Sequence, residues 1–314
     1  MLLAAALLAP LGASGQSWPE RPVRMIVPFP PGGGTEAIGR LVAQHYQEVF
    51  GQPFVVESRS GASGLLGTEM TARAAPDGYT ISMTASGPLT ILPQMMQAGY
   101  DPVRSFEHVY LPSITPLLMV MPNNRAPNSI AEFVPWAQAR RGQINYCSIG
   151  VASPSHLSAE MFARATGVEM THVPHRGSGP ALLDVIAGHC DVLFDSMTSS
   201  SAHVRAGRLK ALGVSTRERL ASWPEMPTIA EQGVAGYVTQ TWSAIVAPAG
   251  TPAAIVARLN EEGRRFSAGQ RERERTIAQG GLPVDLSPTQ FREFLQTEIA
   301  AWGEVIRAGN IKVD

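Results

Sequence analysis

The stretch Pro28 to Glu36, PFPPGGGTE, separates an apolar run, Val23 to Val27, from an amphipathic helical pattern, Ala37 to Phe50, and leaves few options for the surrounding fold. Three successive glycines free the backbone for φ > 0 and leave its N–H groups uncovered. A strand that stops at such a loop and resumes as a helix starts a βα unit, with the loop at the strand's carboxyl end. The helix adds the partial positive charge of its N-terminus, with Thr35 as the expected cap. A carboxylate or small phosphate would be held there without Lys or Arg. The same residues would equally serve a tight strand-to-helix turn with no ligand.

The chain repeats this grammar. Ile38, Leu41, Val42, Tyr46 and Val49 share one face of the first helix, which ends at Gly51 with Pro53 beyond. Phe54 to Glu57 reads as a strand and Gly64 to Ala75 as a helix after the loop Arg59 to Ser63. Tyr79 to Thr84 is a third strand that opens into Ala85-Ser86-Gly87-Pro88. After the apolar strand Leu117 to Met121 a second copy begins, with strand Gln143 to Cys147, small-residue loop Ser148 to Ser153, and a helix from Pro154 to Ala165 capped by Ser153. Glu169 to Val173, Gly179 to Ala187, Cys190 to Phe194, Thr198 to Ala206 and Leu209 to Ser215 continue as strand, helix, strand, helix, strand. Thr241 to Val246 is one more strand, and Pro252 to Ser267 and Pro288 to Ala308 are helices. Leu117 to Met121 and Thr241 to Val246 read as two crossings between domains, which make a hinge. The expected architecture is α/β with two domains, each a mostly parallel sheet flanked by helices. Residues 16–121 with 241–314 form one domain and residues 122–240 the other. Both small-residue loops then point into the cleft between domains, as in a hinged flytrap receptor.

At 314 residues with 44 % hydrophobic side chains, the chain is long enough for two cores. Its 25 basic and 26 acidic residues leave no charge excess for nucleic acid or an anionic membrane surface. Leu2 to Leu11 is almost wholly Leu and Ala, too short to span a bilayer, and Ala13-Ser14-Gly15 supplies a small-residue cleavage site before Gln16. Residues 1–15 are therefore expected to be a secretory signal, with a periplasmic product that is not membrane-inserted after processing. Export permits a disulfide between Cys147 and Cys190, but buried free thiols are commoner for cysteines within strands and are expected here.

Distinctive strings run through the whole mature chain: WPERPVRMIVPFPPGGGTE at 18–36, GQPFVVESRSGASGLLGTEMTARAAPDGYT at 51–80, INYCSIGVASPSHLSAEMF at 144–162, HVPHRGSGPALLDVIAGHCDVLFDS at 172–196 and RAGRLKALGVSTRERLASWPEMPTIAEQG at 205–233. With WSAIVAPAGTP at 242–252 and EFLQTEIAAWGEVIRAGNI at 293–311, the chain resembles the Bug receptor family, the periplasmic solute-binding proteins of tripartite tricarboxylate transporters. The resemblance implies a flytrap-like receptor for a small organic acid, delivered to the membrane permease subunits of such a transporter or to a sensor, with no cofactor. Carried over position by position, it implies a ligand wall of Phe29, Pro31, Gly33 and Gly34 in the first loop and Thr84 and Ser86 after the third strand. From the second domain it implies Ser148, Gly150, Ser153, Ser155, His156, His175, Arg176, Gly177, Asp195 and Ser196. The sequence departs from the family's usual pattern at Glu36, usually Asp, at His175-Arg176, most often Tyr-Lys, and at Cys147, usually a small residue. Arg176 would offer a second carboxylate a bidentate fork, or stand as a solvated rim arginine. Asp195 would accept from a ligand hydroxyl or amine, or cap the helix that follows it.

The alternative is an exported hydrolase using Ser and His residues in the cleft. Its motifs are absent: Arg59 to Leu65 gives G-A-S-G rather than a G-x-S-x-G elbow, and there is no G-K-[ST] phosphate loop and no H-E-x-x-H. His172 and His175 resemble a fragment of a metal site, but with no third ligand nearby in sequence they are expected to be ordinary polar residues. No metal and no reaction are expected.

Overall fold

The computed structural model describes residues 18–312, so the expected signal, residues 1–15, lies outside them. The first lobe opens with β1 (Val23–Val27), α1 (Gly34–Phe50), β2 (Phe54–Ser58), α2 (Leu65–Ala72) and β3 (Thr80–Ala85), followed by a wide π turn at Gly87–Ile91 and the short α3 (Leu92–Met95). A long strand, β4 (Phe106–Pro122), leads to α4 (Ile130–Gln138), β5 (Asn145–Ser148), α5 (Pro154–Thr166), β6 (Thr171–Pro174), α6 (Ser178–Ala187), β7 (Val192–Ser196), α7 (Met197–Arg205) and β8 (Leu209–Val214). The chain returns through β9 (Gln240–Pro248) to α8 (Ala253–Ala268), α9 (Gln270–Ala278), β10 (Leu282–Pro283) and α10 (Pro288–Gly309).

Two sheets share β4. In the first, β1 lies between parallel neighbours β2 and β3, β9 runs antiparallel to β3, and β4 runs antiparallel to β9. In the second, β5 lies between parallel neighbours β6 and β7, and β4 runs antiparallel between β7 and β8. Phe106 to Pro116 of β4 pair with β9, and Leu117 to Pro122 pair with β7 and β8. The expected crossing, Leu117 to Met121, is thus the far end of one 17-residue strand. Pro116 and Gly-poor, polar residues such as His108 and Ser113 break its apolar run, which hid the near end from the sequence pattern. On the return path, Thr239 N–H donates to Ser215 O at 3.1 Å before Gln240 joins β9 opposite Pro116.

Helices cover both faces of each sheet, so its central strands read as apolar runs. Along β4, Leu118 and Val120 pack with Leu182, Val185 and Met197, while Met119 and Met121 pack with Phe133, Phe162 and Phe194 on the other face. The first sheet likewise buries Met25, Tyr46, Ile81 and Leu259 on one face and Phe106, Trp242, Phe291 and Leu295 on the other. Each such side chain stabilises by about 1.5–3 kcal/mol. The α2 backbone rests directly on the β1–α1 loop, since a Cβ at Gly67 would lie 2.6 Å from Arg59 O and 2.8 Å from Pro28 Cα. Gly67→Ala would have to push this loop away.

Cys147 and Cys190 are not free thiols but form a disulfide, with Cα atoms 5.7 Å apart. Parallel pairing of β5 with β7, Tyr146 opposite Val192, brings Cys190 at the entry to β7 within bonding range of Cys147.

Candidate functional site

In each lobe the chain steps from the central strand to one neighbour and then across to the other, β1 to β2 to β3 and β5 to β6 to β7. Such a reversal opens a crevice at the strand carboxyl ends. The two crevices face one another across a single cavity of about 1200 Å³. One edge is bridged by Ser63, whose hydroxyl donates to Val151 O at 2.9 Å. Ala62, Ser63 and Ala152 hold left-handed backbone there, with φ of 45°, 54° and 55°, conformations that non-glycine residues keep only where their surroundings impose them.

The cavity is walled by helix beginnings: Gly34 of α1, Gly64 before α2, Pro154 of α5, Ser178 of α6 and Thr198 of α7. No side chain caps α1, α6 or α7, so their first amides carry unmet donors and partial positive charge, whereas the preceding turn already takes those of α2, Leu65 N–H donating to Ala62 O and Leu66 N–H to Gly61 O. Gly32 needs glycine for its φ of +88°, but Gly33 sits at an ordinary φ of −84°. A Cβ at Gly33 would come no closer than 3.8 Å to another atom, and one at Gly34 would meet nothing within 4 Å. Neither strain nor packing calls for glycine at these two positions; their effect is to leave main-chain amides bare toward the cavity.

Thr35 is not the cap of α1. The helix begins at Gly34 with Gly33 at the cap position, and the Thr35 hydroxyl lies 3.0 Å from Ser243 Oγ of β9. Glu36 folds back beneath the loop, where its carboxylate accepts from Gly32 N–H at 2.7 Å and from Arg40 Nε at 2.8 Å. The Gly32 amide, against the opposing effect of burial, and then Arg40 hold this carboxyl below its usual pKa range. One amide of the loop is therefore already engaged, and the free amides start one residue later.

Of the residues expected on the wall, Phe29, Pro31, Gly33, Gly34, Ser86, Gly150, Ser153, His175, Arg176, Gly177 and Ser196 line the cavity. Thr84, Ser148, Ser155, His156 and Asp195 lie behind it, all at most 5 % exposed. Thr84 Oγ1 bonds Thr68 Oγ1 at 3.1 Å. His156 stacks on His172 with ring centroids 4.1 Å apart, and Tyr146 lies nearly parallel to both, 4.8 Å from His172 and 6.2 Å from His156. Burial pulls both imidazoles down to about 4, and at His172 the neighbouring His156 charge adds to the effect. Asp195 accepts from Ser178 Oγ at 2.8 Å and from Ser199 Oγ at 2.5 Å, so it ties the starts of α6 and α7 together rather than facing the cavity. Burial raises its pKa to about 6, with the Ser199 and Ser178 hydroxyls pulling it back.

Sequence reasoning missed Ser60 to Ser63, Thr198, and Glu272, Arg275 and Thr276 of α9, which also line the cavity. The loop after β2 lies at a strand carboxyl end and was open to the switch-point rule. The run QRERER gave no such signal, because alternating charges usually mark a solvated face. The Ser–His pair nearest to hydrolase chemistry, Ser148 Oγ to His172 Nε2 at 2.6 Å, sits off the cavity on a fully buried serine that also bonds Gly150 O. The hydrolase reading finds no support.

Two switch-point crevices closing on one cavity define a two-lobed, flytrap-type solute-binding fold. Residues 38–311 match the family model described as the tripartite tricarboxylate transporter family receptor. The chain is 34 % identical over 311 residues to Protein BugT of Bordetella pertussis, covering 98 % of this chain and 95 % of that protein. Among solved structures, the R. palustris protein Rpa4515 with adipate aligns with a TM-score of 0.91 at 34 % identity, over 94 % of this chain and 99 % of that one. MatC from Rhodopseudomonas palustris with bound malate aligns with a TM-score of 0.87 at 30 % identity, over 92 % and 100 % of the two chains. The chain belongs to the tripartite tricarboxylate transporter receptor family.

Proposed function

We propose that this protein is a periplasmic receptor that captures a small organic dicarboxylate between its lobes and presents it to the permease of a tripartite tricarboxylate transporter, without turning it over. We place the division within β4, with residues 18–116 and 240–312 in one lobe and residues 117–239 in the other, close to the expected 16–121 with 241–314 and 122–240. The observation that carries this reading is the bare start of α1, where Gly33 and Gly34 leave amides open to the cavity with no packing need for glycine. One carboxylate takes those amides. A second reaches the uncapped starts of α6 and α7 and the Arg176 guanidinium on the opposite wall. Charge-assisted bonds to backbone N–H are strong enough to hold a carboxylate with no cation in direct contact. Adipate and malate, bound by two relatives of the same fold, have this chemistry.

Calorimetric and fluorescence titration with adipate, malate and the neutral dimethyl ester of adipate tests the proposal. Trp242, buried against Phe291 and lining the cavity, reports on occupancy. Saturable binding of one diacid per chain with a change in emission is expected, and no binding of the ester. Equal affinity for the ester, or its hydrolysis, would overturn the reading.

A further inference from the structure

The buried cysteine pair, which does not line the cavity, lies against two more metal-ligating groups. Sγ of Cys147, Sγ of Cys190 and a ring nitrogen of His175 all lie within 4.8 Å of one another. His175 Nε2 is 3.1 Å from Cys147 Sγ and 3.0 Å from Asp184 Oδ2. Around a tetrahedral ion with bonds of about 2.0–2.3 Å, neighbouring ligand atoms stand about 3.3–3.8 Å apart, so the two sulfurs and the His175 nitrogen have nearly the spacing of a coordination shell, and the Asp184 carboxylate borders that group of three through His175. We propose that, with the disulfide reduced, Cys147, Cys190, His175 and Asp184 form a site for a thiophilic metal ion such as Zn²⁺.

The elements that place these groups are well fixed. Cys147 is set by β5 between two parallel neighbours. The His175 loop is pinned to β5 by its own N–H on Ser148 O at 3.0 Å and by Gly177 N–H on Ile149 O at 3.1 Å. At the end of α6, Gly188 turns left-handed with φ 82°, and Asp184 O accepts from His189 N–H at 2.9 Å and from Cys190 N–H at 3.4 Å, which holds Cys190 against the end of the helix. Asp184 Oδ1 lies 3.3 Å from His189 Nδ1, leaving Oδ2 toward His175. Two thiolates with one imidazole and one carboxylate are a soft donor set, which favours Zn²⁺ or Cu⁺ and disfavours Mg²⁺ or Ca²⁺. Both sulfurs are buried, at 0 % and 1 % exposure, while His175 lies on the cavity wall and gives the ion a way in.

The chemistry balances in two steps. A dithiol reductant is oxidised to its own disulfide and supplies two electrons and two protons, which break the Cys147–Cys190 bond and give two thiols. The ion then displaces the two thiol protons and forms two metal–sulfur bonds. A two-electron oxidant such as a small disulfide remakes the sulfur–sulfur bond and releases the ion, so the site is open only in the reduced chain.

The test is titration of the full-length protein with Co²⁺ alone, before and after reduction with a phosphine, followed by displacement with Zn²⁺. The reduced chain is expected to take up one equivalent, with a thiolate-to-cobalt charge-transfer band and tetrahedral visible bands that Zn²⁺ removes; the oxidised chain is expected to show neither. Cys147→Ser should abolish the charge-transfer band or cut affinity by more than about a hundredfold, and Asp184→Asn should weaken binding by about ten- to a hundredfold. Where reduction unfolds the chain, added Zn²⁺ should restore cooperative unfolding. A reduced chain with no such band, a band that survives Cys147→Ser, or a reduced chain that Zn²⁺ leaves unfolded would overturn the proposal.

Discussion

The two lobes share a strand order but build their leading helix starts in opposite ways. At α1 the loop is glycine, no side chain caps the helix, and its amides are left to the cavity. At α5 the loop spends its polar groups on itself. Ser153 accepts from His156 N–H at 3.2 Å and donates to Gly150 O at 2.7 Å, and Ala152 N–H donates to His156 Nδ1 at 3.1 Å. A helix start that satisfies its own donors has none for a ligand. Repeating a fold has therefore not repeated the helix start, and in the proposed site the second lobe's donors are those of α6 and α7 instead. Gly33→Val strikes this difference hardest. Valine would screen the amides of α1 while its Cβ meets nothing closer than Pro30 O at 3.8 Å. With one charge-assisted bond lost, at about 1.5–3 kcal/mol, adipate affinity should fall by about ten- to a hundredfold or slightly more. Unliganded thermal unfolding should stay cooperative and within about 0.5 kcal/mol of wild type. Unchanged affinity would remove the asymmetry between the lobes.

The next largest effect belongs to the second lobe. Arg176 is exposed on the cavity wall, on the same loop as His175 and Gly177. If it meets the distal carboxylate with a fork, Arg176→Ala should weaken adipate about tenfold, and Arg176→Lys should recover only part of that loss. A monocarboxylate should lose almost nothing. An Ala variant that binds both acids as wild type does would mark Arg176 as a solvated rim residue.

The pattern of strands and helices was legible because periodicity and punctuation are local. Val23–Val27 and the Ser153 cap stand where the residues put them. Long-range facts were not local. The first eleven residues of β4 gave no strand pattern because proline and buried polar residues interrupt them, although pairing with β9 makes them strand. The disulfide depends on which strands become neighbours, a matter of register rather than of either cysteine's surroundings in sequence. Within the site, residues at strand ends were found and their facing was not. Thr84, Ser148 and Asp195 sit at the right strand ends but turn inward, because each neighbouring residue on a strand faces the opposite side.

Acid should separate the lobes on stability. His156 and His172 are held neutral in the fold, near pKa 4 against 6.5 when unfolded, so the stability they contribute is present above pH 6.5 and lost as pH falls through about 4. Asp195 acts in the opposite sense, since its raised carboxyl contributes most below its ordinary range and loses this as pH rises through about 6. Two stacked imidazoles against one carboxyl should leave the second lobe less stable at pH 4 than at pH 6.5. Buried His108 in the first lobe is shifted the same way, but stands alone against Phe291. His172→Phe keeps the stack with Tyr146 and cannot take a proton, so its melting temperature should fall less over this pH range. An identical fall would place the acid sensitivity elsewhere.

The smallest effect isolates the comparison most cleanly. Ser153→Ala removes a side-chain cap from α5 and nothing that the proposed ligand uses, so it should destabilise the chain by about 1 kcal/mol while leaving adipate affinity within about twofold, since under about 0.4 kcal/mol of binding energy would change. Its counterpart, Gly33→Val, should do the reverse and weaken binding with little loss of stability. Ser153 lies on the cavity wall as Gly33 does, so proximity alone predicts that both substitutions disturb binding. Only the difference in how the two helix starts meet their donors predicts that one acts on folding and the other on capture. A Ser153→Ala variant that lost adipate affinity as strongly as Gly33→Val would show the α5 start to be a ligand donor, and the serine's bond to His156 N–H to be one that yields on binding.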